Sequence, residues 1–276
     1  MPSLLHGIAV PFLRLTRKHR WASAAGLHAA IAKAHEPAPP PEGAVRDDSL
    51  GFPVYTVTAG SGGRSRRLLY LHGGGYVFEI AKQHWTLITQ LAERLDATVT
   101  VPLYPKAPAH TWRDSLPSLG SLVTESVTVM GDSAGGGLAL ALVHQAIAAG
   151  VVPRRVVLIA PFLDATVSSP ESVRIDRIDP WLGVDGGREA GRLWAGNDDP
   201  ARLEVSPLFA DQTNLPPTLV FVGSRDCLAP QARDFAERGG PVVELVDQPD
   251  LVHVYPLLPI PEARPAIDRI VAFIGT

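Results

Sequence analysis

Ser133 stands in Gly131-Asp132-Ser133-Ala134-Gly135, between the apolar run Ser126–Met130 and an alanine- and leucine-rich stretch that stops at Gly150. A G-x-S-x-G pentapeptide between a strand and a helix is a nucleophile elbow. Its turn is too tight for bulk on either flank, and it thrusts the serine hydroxyl out from the sheet. The chemistry this allows is acyl transfer through a serine ester. The pentapeptide alone says less, since chance supplies one in about one in ten chains of this length and an ordinary glycine turn before a helix looks the same. The flanking pattern favours the elbow.

A serine nucleophile needs a base, a group that orients the base, and donors for the oxyanion. On elbow folds the partners follow in the order serine, acid, histidine. Of the nine histidines, only His253 lies beyond the last strands, in Asp250-Leu-Val-His-Val-Tyr255. His144 sits on the serine's own helix, ~16 Å along it, and His6, His19, His28 and His35 belong to the N-terminal segment. A lone histidine is usually structural, but this one fits an empty role. The acid expected is Asp226, which follows the run Thr218–Val222 and so lies at the carboxyl end of a buried strand, where ligands gather in open parallel sheets. A helix N-cap is its ordinary alternative, and Asp247 and Asp250 are its rivals. Leu71-His72-Gly73-Gly74-Gly75-Tyr76 closes the set. Three consecutive glycines let backbone N–H groups turn toward a substrate oxygen, and with the N–H of Ala134 they would form an oxyanion hole. A plain glycine turn is the alternative.

The chain has 276 residues, 46% of them hydrophobic, with net charge −3. That suits one domain with a sizeable core, and the lack of basic excess argues against a nucleic-acid partner. Cys227 is the only cysteine, so neither an intramolecular disulfide nor a cysteine-rich metal site is expected. There is no H-E-x-x-H and no His/Cys cluster. Gly60-Ser-Gly-Gly63 hints at nucleotide binding, but no G-x-x-x-x-G-K-[ST] occurs and no glycine fingerprint has its acidic partner. No metal or organic cofactor is therefore expected.

These groups need elements to hold them. Phe52–Thr58 reads as an edge strand, and short apolar runs follow at 68–71, 98–101, 127–130, 156–160, 218–222 and 242–246. Helical candidates fall between or after them at 85–95, 138–149, 230–238 and 263–274. This alternation predicts an α/β fold with a mostly parallel sheet wrapped by helices. The interval 164–217 holds no strand-like run and reads as an insertion. Residues 1–35 predict one or two helices, with Leu4, Leu5, Ile8, Phe12 and Leu15 at near-helical spacing. Glu36-Pro-Ala-Pro-Pro-Pro41 is a non-helical spacer. The arm before it reads as a packed segment or as a lid, and the spacer favours one that can move. Its charges (Arg14, Arg17, Lys18, His19 and Arg20) follow the apolar part, whereas a secretory signal has them first. No apolar run reaches the ~18 residues of a membrane-spanning helix.

His72-Gly-Gly-Gly75, Gly131-Asp-Ser-Ala-Gly135, Asp226 and His253 together resemble the hormone-sensitive-lipase family of α/β-hydrolases, which includes many bacterial esterases. The resemblance runs from about Leu68 to Ile274 and takes in Tyr104-Pro-Lys-Ala-Pro108, Ser206-Pro-Leu208 and Leu215-Pro-Pro-Thr218. It implies a single α/β-hydrolase domain over 1–276, with a helical cap from about 1–45 and part of 164–217. It also implies a Ser133–Asp226–His253 triad and oxyanion donors at Gly74, Gly75 and Ala134. The expected activity is that of a cytoplasmic serine carboxylesterase acting on small, short-acyl (acetyl-type) esters. Tyr76, Phe78, Trp181 and Trp194 are candidates for the pocket wall, though each suits core or cap packing equally. A lipase or amidase on the same fold stays open. A non-catalytic ligand-binding homologue is the lesser reading, because such proteins typically lack a triad member. Contact of the apolar arm with a membrane surface is a minor reading, and a homodimer through the terminal edge strand rests on analogy alone. The chain departs from the family in three places. It has Tyr104-Pro-Lys-Ala-Pro-Ala109 for the usual Tyr-Arg-Leu-Ala-Pro-Glu, Cys227-Leu228 for Pro-Leu after the acid, and a short 108–126 stretch that implies a truncated crossover helix.

Overall fold

The computed structural model describes residues 2–33, 36–58 and 66–276. Gly60-Ser-Gly-Gly63 and His35 lie outside the described residues. The strands are β1 (Val45–Asp47), β2 (Val54–Thr58), β3 (Arg66–Leu71), β4 (Ala97–Pro102), β5 (Val127–Asp132), β6 (Arg155–Ile159), β7 (Thr218–Gly223) and β8 (Val243–Gln248). The helices are α1 (Leu4–Thr16), α2 (Lys18–Trp21), α3 (Ala24–Ile31), α4 (Lys82–Leu95), α5 (Trp112–Gly120), α6 (Ala134–Ala148), α7 (Pro170–Asp176), α8 (Val184–Ala195), α9 (Ala229–Gly239) and α10 (Ala263–Gly275).

The strands form one sheet in the order β1-β2-β4-β3-β5-β6-β7-β8. β1 pairs antiparallel with β2 and β2 antiparallel with β4, and the remaining pairs are parallel. Because side chains alternate along a strand, the sheet feeds two cores. Leu69, Leu71, Val129, Leu158 and Val220 meet Leu138 and Leu142 of α6 and Phe235 of α9 on one face. Leu68, Tyr70, Met130, Val157 and Leu219 meet Ile88 and Leu91 of α4 and Ile270 of α10 on the other. β5 is central, and all six of its residues are buried.

Four features differ from what the sequence predicts. The arm folds as three helices, α1 to α3, rather than one or two. β1 was not expected: Val-Arg-Asp is exposed throughout and has no apolar alternation to betray it. α6 begins at Ala134 rather than at 138, so it carries Gly135, Gly136 and Gly137 in its first turn. Glycine is a poor helix former, but a Cβ at 135 would collide with the backbone of Leu71, and one at 137 with that of Phe162. Close packing overrides propensity there. On α1, the stripe of Leu4, Leu5, Ile8, Phe12 and Leu15 faces solvent, at 52–82% exposure, while His6 and Leu13 are buried. The helix docks by its other side. Ser3 bonds to Glu262, and Arg14 donates to the carbonyl of Arg177 at 2.7 Å.

The 164–217 interval contains α7, α8 and a 3-10 turn at Pro207–Phe209, and no strand. α2 and α3 pack against α8. A Cβ at Gly183 or Gly186 would strike the backbone of Trp21, so arm and insertion meet there without intervening side chains. The crossover helix α5 spans 9 residues. No described helix is long and apolar enough to cross a membrane.

Candidate active site

Ser133 joins β5 to α6 with φ 52° and ψ −122°, a left-handed conformation costly for a residue with a Cβ. Neighbours hold it there. Its N–H donates to the carbonyl of Ile159 at 2.8 Å, and its own carbonyl accepts from Gly136 and Phe162, each at 2.9 Å. A Cβ on Gly131 would overlap the backbone of Gly135, so the sharp bend requires glycine at 131.

Asp226 follows β7 and His253 follows β8. Their loops are zipped together: Ser224 N–H donates to Gln248 O at 2.9 Å, Arg225 N–H to Leu251 O at 2.9 Å, and Asp250 N–H to Ser224 Oγ at 2.8 Å. His253 Nδ1 lies 2.7 Å from Asp226 Oδ2, and its Nε2 lies 3.0 Å from Ser133 Oγ. An ionised carboxylate only accepts, so Nδ1 carries the proton and Nε2 offers a lone pair to the serine hydroxyl. The other Asp226 oxygen accepts from Leu228 N–H at 2.8 Å. Burial alone would lower the His253 pKa, but the charge and hydrogen bond of Asp226, with Asp179 and Asp132 farther off, outweigh it and hold the imidazole above its ordinary value.

Beside the serine, Gly74 (φ 123°) and Gly75 (φ 63°) take conformations that favour glycine. Among the described residues neither N–H has an acceptor. Ala134 opens α6, where an N–H lacks an intrahelical partner. The glycine loop is fixed from below by Asp132, whose Oδ1 accepts from Gly73 N–H at 2.9 Å and Tyr70 OH at 2.7 Å, while Oδ2 faces His84 Nε2 at 3.3 Å. His84 Nδ1 accepts from Ala81 N–H at 2.9 Å, which leaves the proton on Nε2. Burial opposes ionisation of Asp132, but His84, Tyr70 and Gly73 prevail and keep it below the usual carboxylate range. Where the family's Arg and Glu are missing, Lys106 provides the brace. It pairs with Glu79 at 2.9 Å and donates to Tyr104 O, and Tyr104 OH in turn donates to His72 O at 2.8 Å.

Ser133, His253, Gly74 and Gly75 line a cavity of about 350 Å³ together with Trp21, Phe78 and Trp181. The Trp181 ring meets the His253 ring edge to face at 5.7 Å. Tyr76 and Trp194 do not line this cavity. They stack on each other at 4.6 Å with planes 3° apart, and both are buried core. Beyond Ser133 and Gly75 is a second pit of about 20 Å³, walled by Phe162, Val167, Leu182 and Leu228 among others.

Several residues of this site give no signal of their own in the sequence. Trp21, from the arm, covers Gly75 so closely that a Cβ there would overlap its ring. Asp132 is the unspecified position of the elbow motif. His84 has nothing to distinguish it from other helical histidines. Asp179 is fully buried, accepting from Trp181 and Leu182 N–H through Oδ1 and from Cys227 N–H through Oδ2 at 2.8 Å. Burial first, then the charge of Asp226, pushes its pKa up to about 6. Asp179, Asp226 and Cys227 bring one ligand atom each within 4.8 Å of one another. Both carboxylates are already bound to N–H donors and burial pushes the thiol pKa up, so the cluster suits two carboxylates held separately by main-chain donors better than a cation.

Gly75→Ala is expected to cut kcat on 4-nitrophenyl acetate by about 100-fold or more, because the added Cβ meets the Trp21 ring and must displace the loop that aims the Gly75 N–H at the oxyanion. Gly150→Ala is the control: Gly150 has a similar φ of 82° but open space around it, and kcat should be unchanged. Equal losses in both variants would assign the effect to backbone strain instead.

A hydroxyl, an imidazole and a carboxylate in series, at the carboxyl ends of three strands of a mostly parallel sheet, define an α/β-hydrolase. The chain matches the family described as alpha/beta hydrolase fold over residues 68–257. It is 33% identical over 229 residues to an acetyl-hydrolase of Streptomyces hygroscopicus, covering 76% of each chain. It is 32% identical over 184 residues to an esterase of Acinetobacter venetianus, where the match spans 62% of this chain and 60% of that protein's length. The structure superposes on the hormone-sensitive-lipase homologue EstE7 from a metagenome library with TM-score 0.81 and 27% identity, over 100% of this chain and 99% of that one. The chain belongs to the hormone-sensitive-lipase family of α/β-hydrolases.

Proposed function

We propose that this protein is a serine carboxylic ester hydrolase acting on small esters with short acyl groups. The observation that carries the reading is the continuous Ser133–His253–Asp226 series beside two unengaged glycine N–H groups. Ser133 Oγ attacks the ester carbonyl as His253 Nε2 takes its proton, and the Asp226 carboxylate holds Nδ1–H and stabilises the imidazolium. The N–H groups of Gly74, Gly75 and Ala134 receive the developing oxyanion. The alcohol leaves with the proton from His253, and water attacks the acyl-enzyme with His253 again as base.

The 20 Å³ pit beside Ser133 supports an acetyl-sized acyl group, for it has room for about one water or one methyl. The larger cavity stands near the lower end of small-molecule sites. The arm and the 164–217 insertion, which meet at Trp21, act in this reading as the cap. The names of the acetyl-hydrolase and esterase relatives agree with it. A cytoplasmic location is part of the same proposal, as the lone, buried Cys227 requires no oxidising compartment. The exposed apolar stripe of α1 favours a second reading, hydrolysis at a lipid surface. A jump in rate on tributyrin above its solubility limit would support that one.

An alkyl fluorophosphonate should add once per chain, with the adduct on the Ser133 peptide by mass spectrometry, and should block turnover. A panel of 4-nitrophenyl esters should then peak at the shortest chains. Absence of the adduct, or an adduct elsewhere with activity retained, rejects the hydrolase reading. A maximum at long chains rejects the acyl preference alone.

A further inference from the structure

The half-buried lysines and arginines among the described residues are held by acceptors, with two exceptions. Lys18 pairs with Asp176, Lys106 with Glu79, Arg202 with Glu204 and Arg233 with Asp247, while Arg66, Arg155 and Arg225 donate to main-chain carbonyls. Among the described residues Arg17 and Arg20 find no side-chain hydrogen bond and no ion pair, and both line the cavity that contains Ser133. Exposed arginines are often unpaired. A half-buried guanidinium on a cavity wall without a protein acceptor is different, because its donors are left to cavity water or to a ligand. Here two such groups sit three residues apart. Burial first, and then the charge of Arg20, lowers the pKa of Arg17.

No carboxylate of the wall pairs with them among the described residues. Lys82 adds a third cation to the wall. Glu79 is engaged by Lys106, and the Asp132 carboxylate, on the cavity floor, is bonded to Tyr70, Gly73 and His84. Glu36 is the one lining carboxylate without a partner among the described residues, and it is exposed. His84 and His253 supply imidazoles already committed to Asp132 and Asp226. The lining is balanced in charge as a whole (Arg17, Arg20 and Lys82 against Glu36, Glu79 and Asp132), but its arm side presents two unpaired guanidiniums in the same space as the nucleophile.

We propose that the ester this cavity accepts bears an anionic group, a carboxylate or a phosphate, and that Arg17 and Arg20 bind that group. The proposal rests on the hydrolase reading and narrows its substrate class. Guanidinium forks match either oxyanion bidentately and fix its position as well as its charge. The arm is then a specificity element as well as a cover.

The test compares matched esters on the full chain. On the acyl side, mono-4-nitrophenyl glutarate is set against 4-nitrophenyl valerate. On the alcohol side, 4-acetoxybenzoate and 4-acetoxyphenyl phosphate are set against phenyl acetate. The wild type should prefer at least one anionic ester to its neutral partner, and whichever of the two acetoxy esters is favoured names carboxylate or phosphate. Arg17→Met with Arg20→Met should lower kcat/KM for that ester by about 10- to 100-fold, chiefly through KM. Neutral esters should stay within about twofold, and Arg17→Lys with Arg20→Lys should restore part of the loss. Added salt should slow the anionic ester alone, a readout on the wild type that survives if the methionine variant fails to fold. Equal losses on charged and neutral esters, or no preference on either side, would overturn the proposal. A wild type that hydrolyses phenyl acetate yet ignores charge sinks only this inference, whereas one that hydrolyses nothing sinks the hydrolase reading itself.

Discussion

Ser133→Ala is expected to lower kcat on 4-nitrophenyl acetate by on the order of 10⁵- to 10⁶-fold, leaving only what the glycine loop and the cavity can do for attack by water. The fold should survive the change. The hydroxyl's recorded contact is with His253 Nε2, and the main chain at 133 is held by Ile159, Gly136 and Phe162 whatever side chain it carries. A second variant separates chemistry from strain. Ser133 keeps a Cβ at φ 52°, a cost of about 1 kcal/mol or more that alanine at this position would retain and glycine would shed. Ser133→Gly should therefore be as inactive as Ser133→Ala yet melt higher. An alanine variant with near-wild-type kcat would remove Ser133 from the chemistry. A glycine variant less stable than alanine would show that the elbow is not strained.

Asp226→Asn should cost about 10⁴-fold in kcat. An amide at 226 can present its NH₂ to His253 Nδ1, which forces the proton onto Nε2 and points a donor at the serine that needs an acceptor. Asp179 is the natural candidate for rescue, since it lies beside Asp226 and with the charge at 226 gone it would ionise more readily. Its oxygens are nonetheless bound to the N–H groups of Trp181, Leu182 and Cys227, and no hydrogen bond joins it to His253. It can supply field but not orientation, so the loss should stand. The pH profile tests the same pair. Only neutral His253 can accept the serine proton, so wild-type kcat/KM should fall as pH drops through an imidazole pKa raised above its ordinary value. With the 226 charge removed, the residual activity of the variant should keep its acid limb to a lower pH. An acid limb at the same pH in both proteins would mean that Asp226 does not set the basicity of His253.

The strands were legible because parallel strands covered on both faces are nearly continuous in Val, Ile and Leu. The starting points of Ser133, Asp226 and His253 follow from that, each lying just past such a run. Residues that act through distant partners were not legible. The bond from His84 to Asp132 spans 48 residues, and that from Asp179 to Cys227 also spans 48, so no local pattern records either. Aromatic side chains were ambiguous for a different reason. Tyr76 and Phe78 are two positions apart, yet one stacks on Trp194 in the core and the other lines the cavity, and burial drives both outcomes equally. The apolar stripe of α1 misled more directly. Its spacing marks a helix correctly, but the side that docks is chosen by Ser3, His6, Leu13 and Arg14.

The closeness of Trp21 to Gly75 constrains how relatives of this chain can diverge. The indole at position 21 fits only because residue 75 has no Cβ, so a large ring at 21 requires glycine at 75. Gly183 and Gly186 abut the main chain of residue 21 instead. They should stay glycine wherever the arm's main chain keeps this course, and position 75 is held to glycine twice over, by the indole above it and by its own φ of 63°, so remodelling the arm lifts only the first of those constraints.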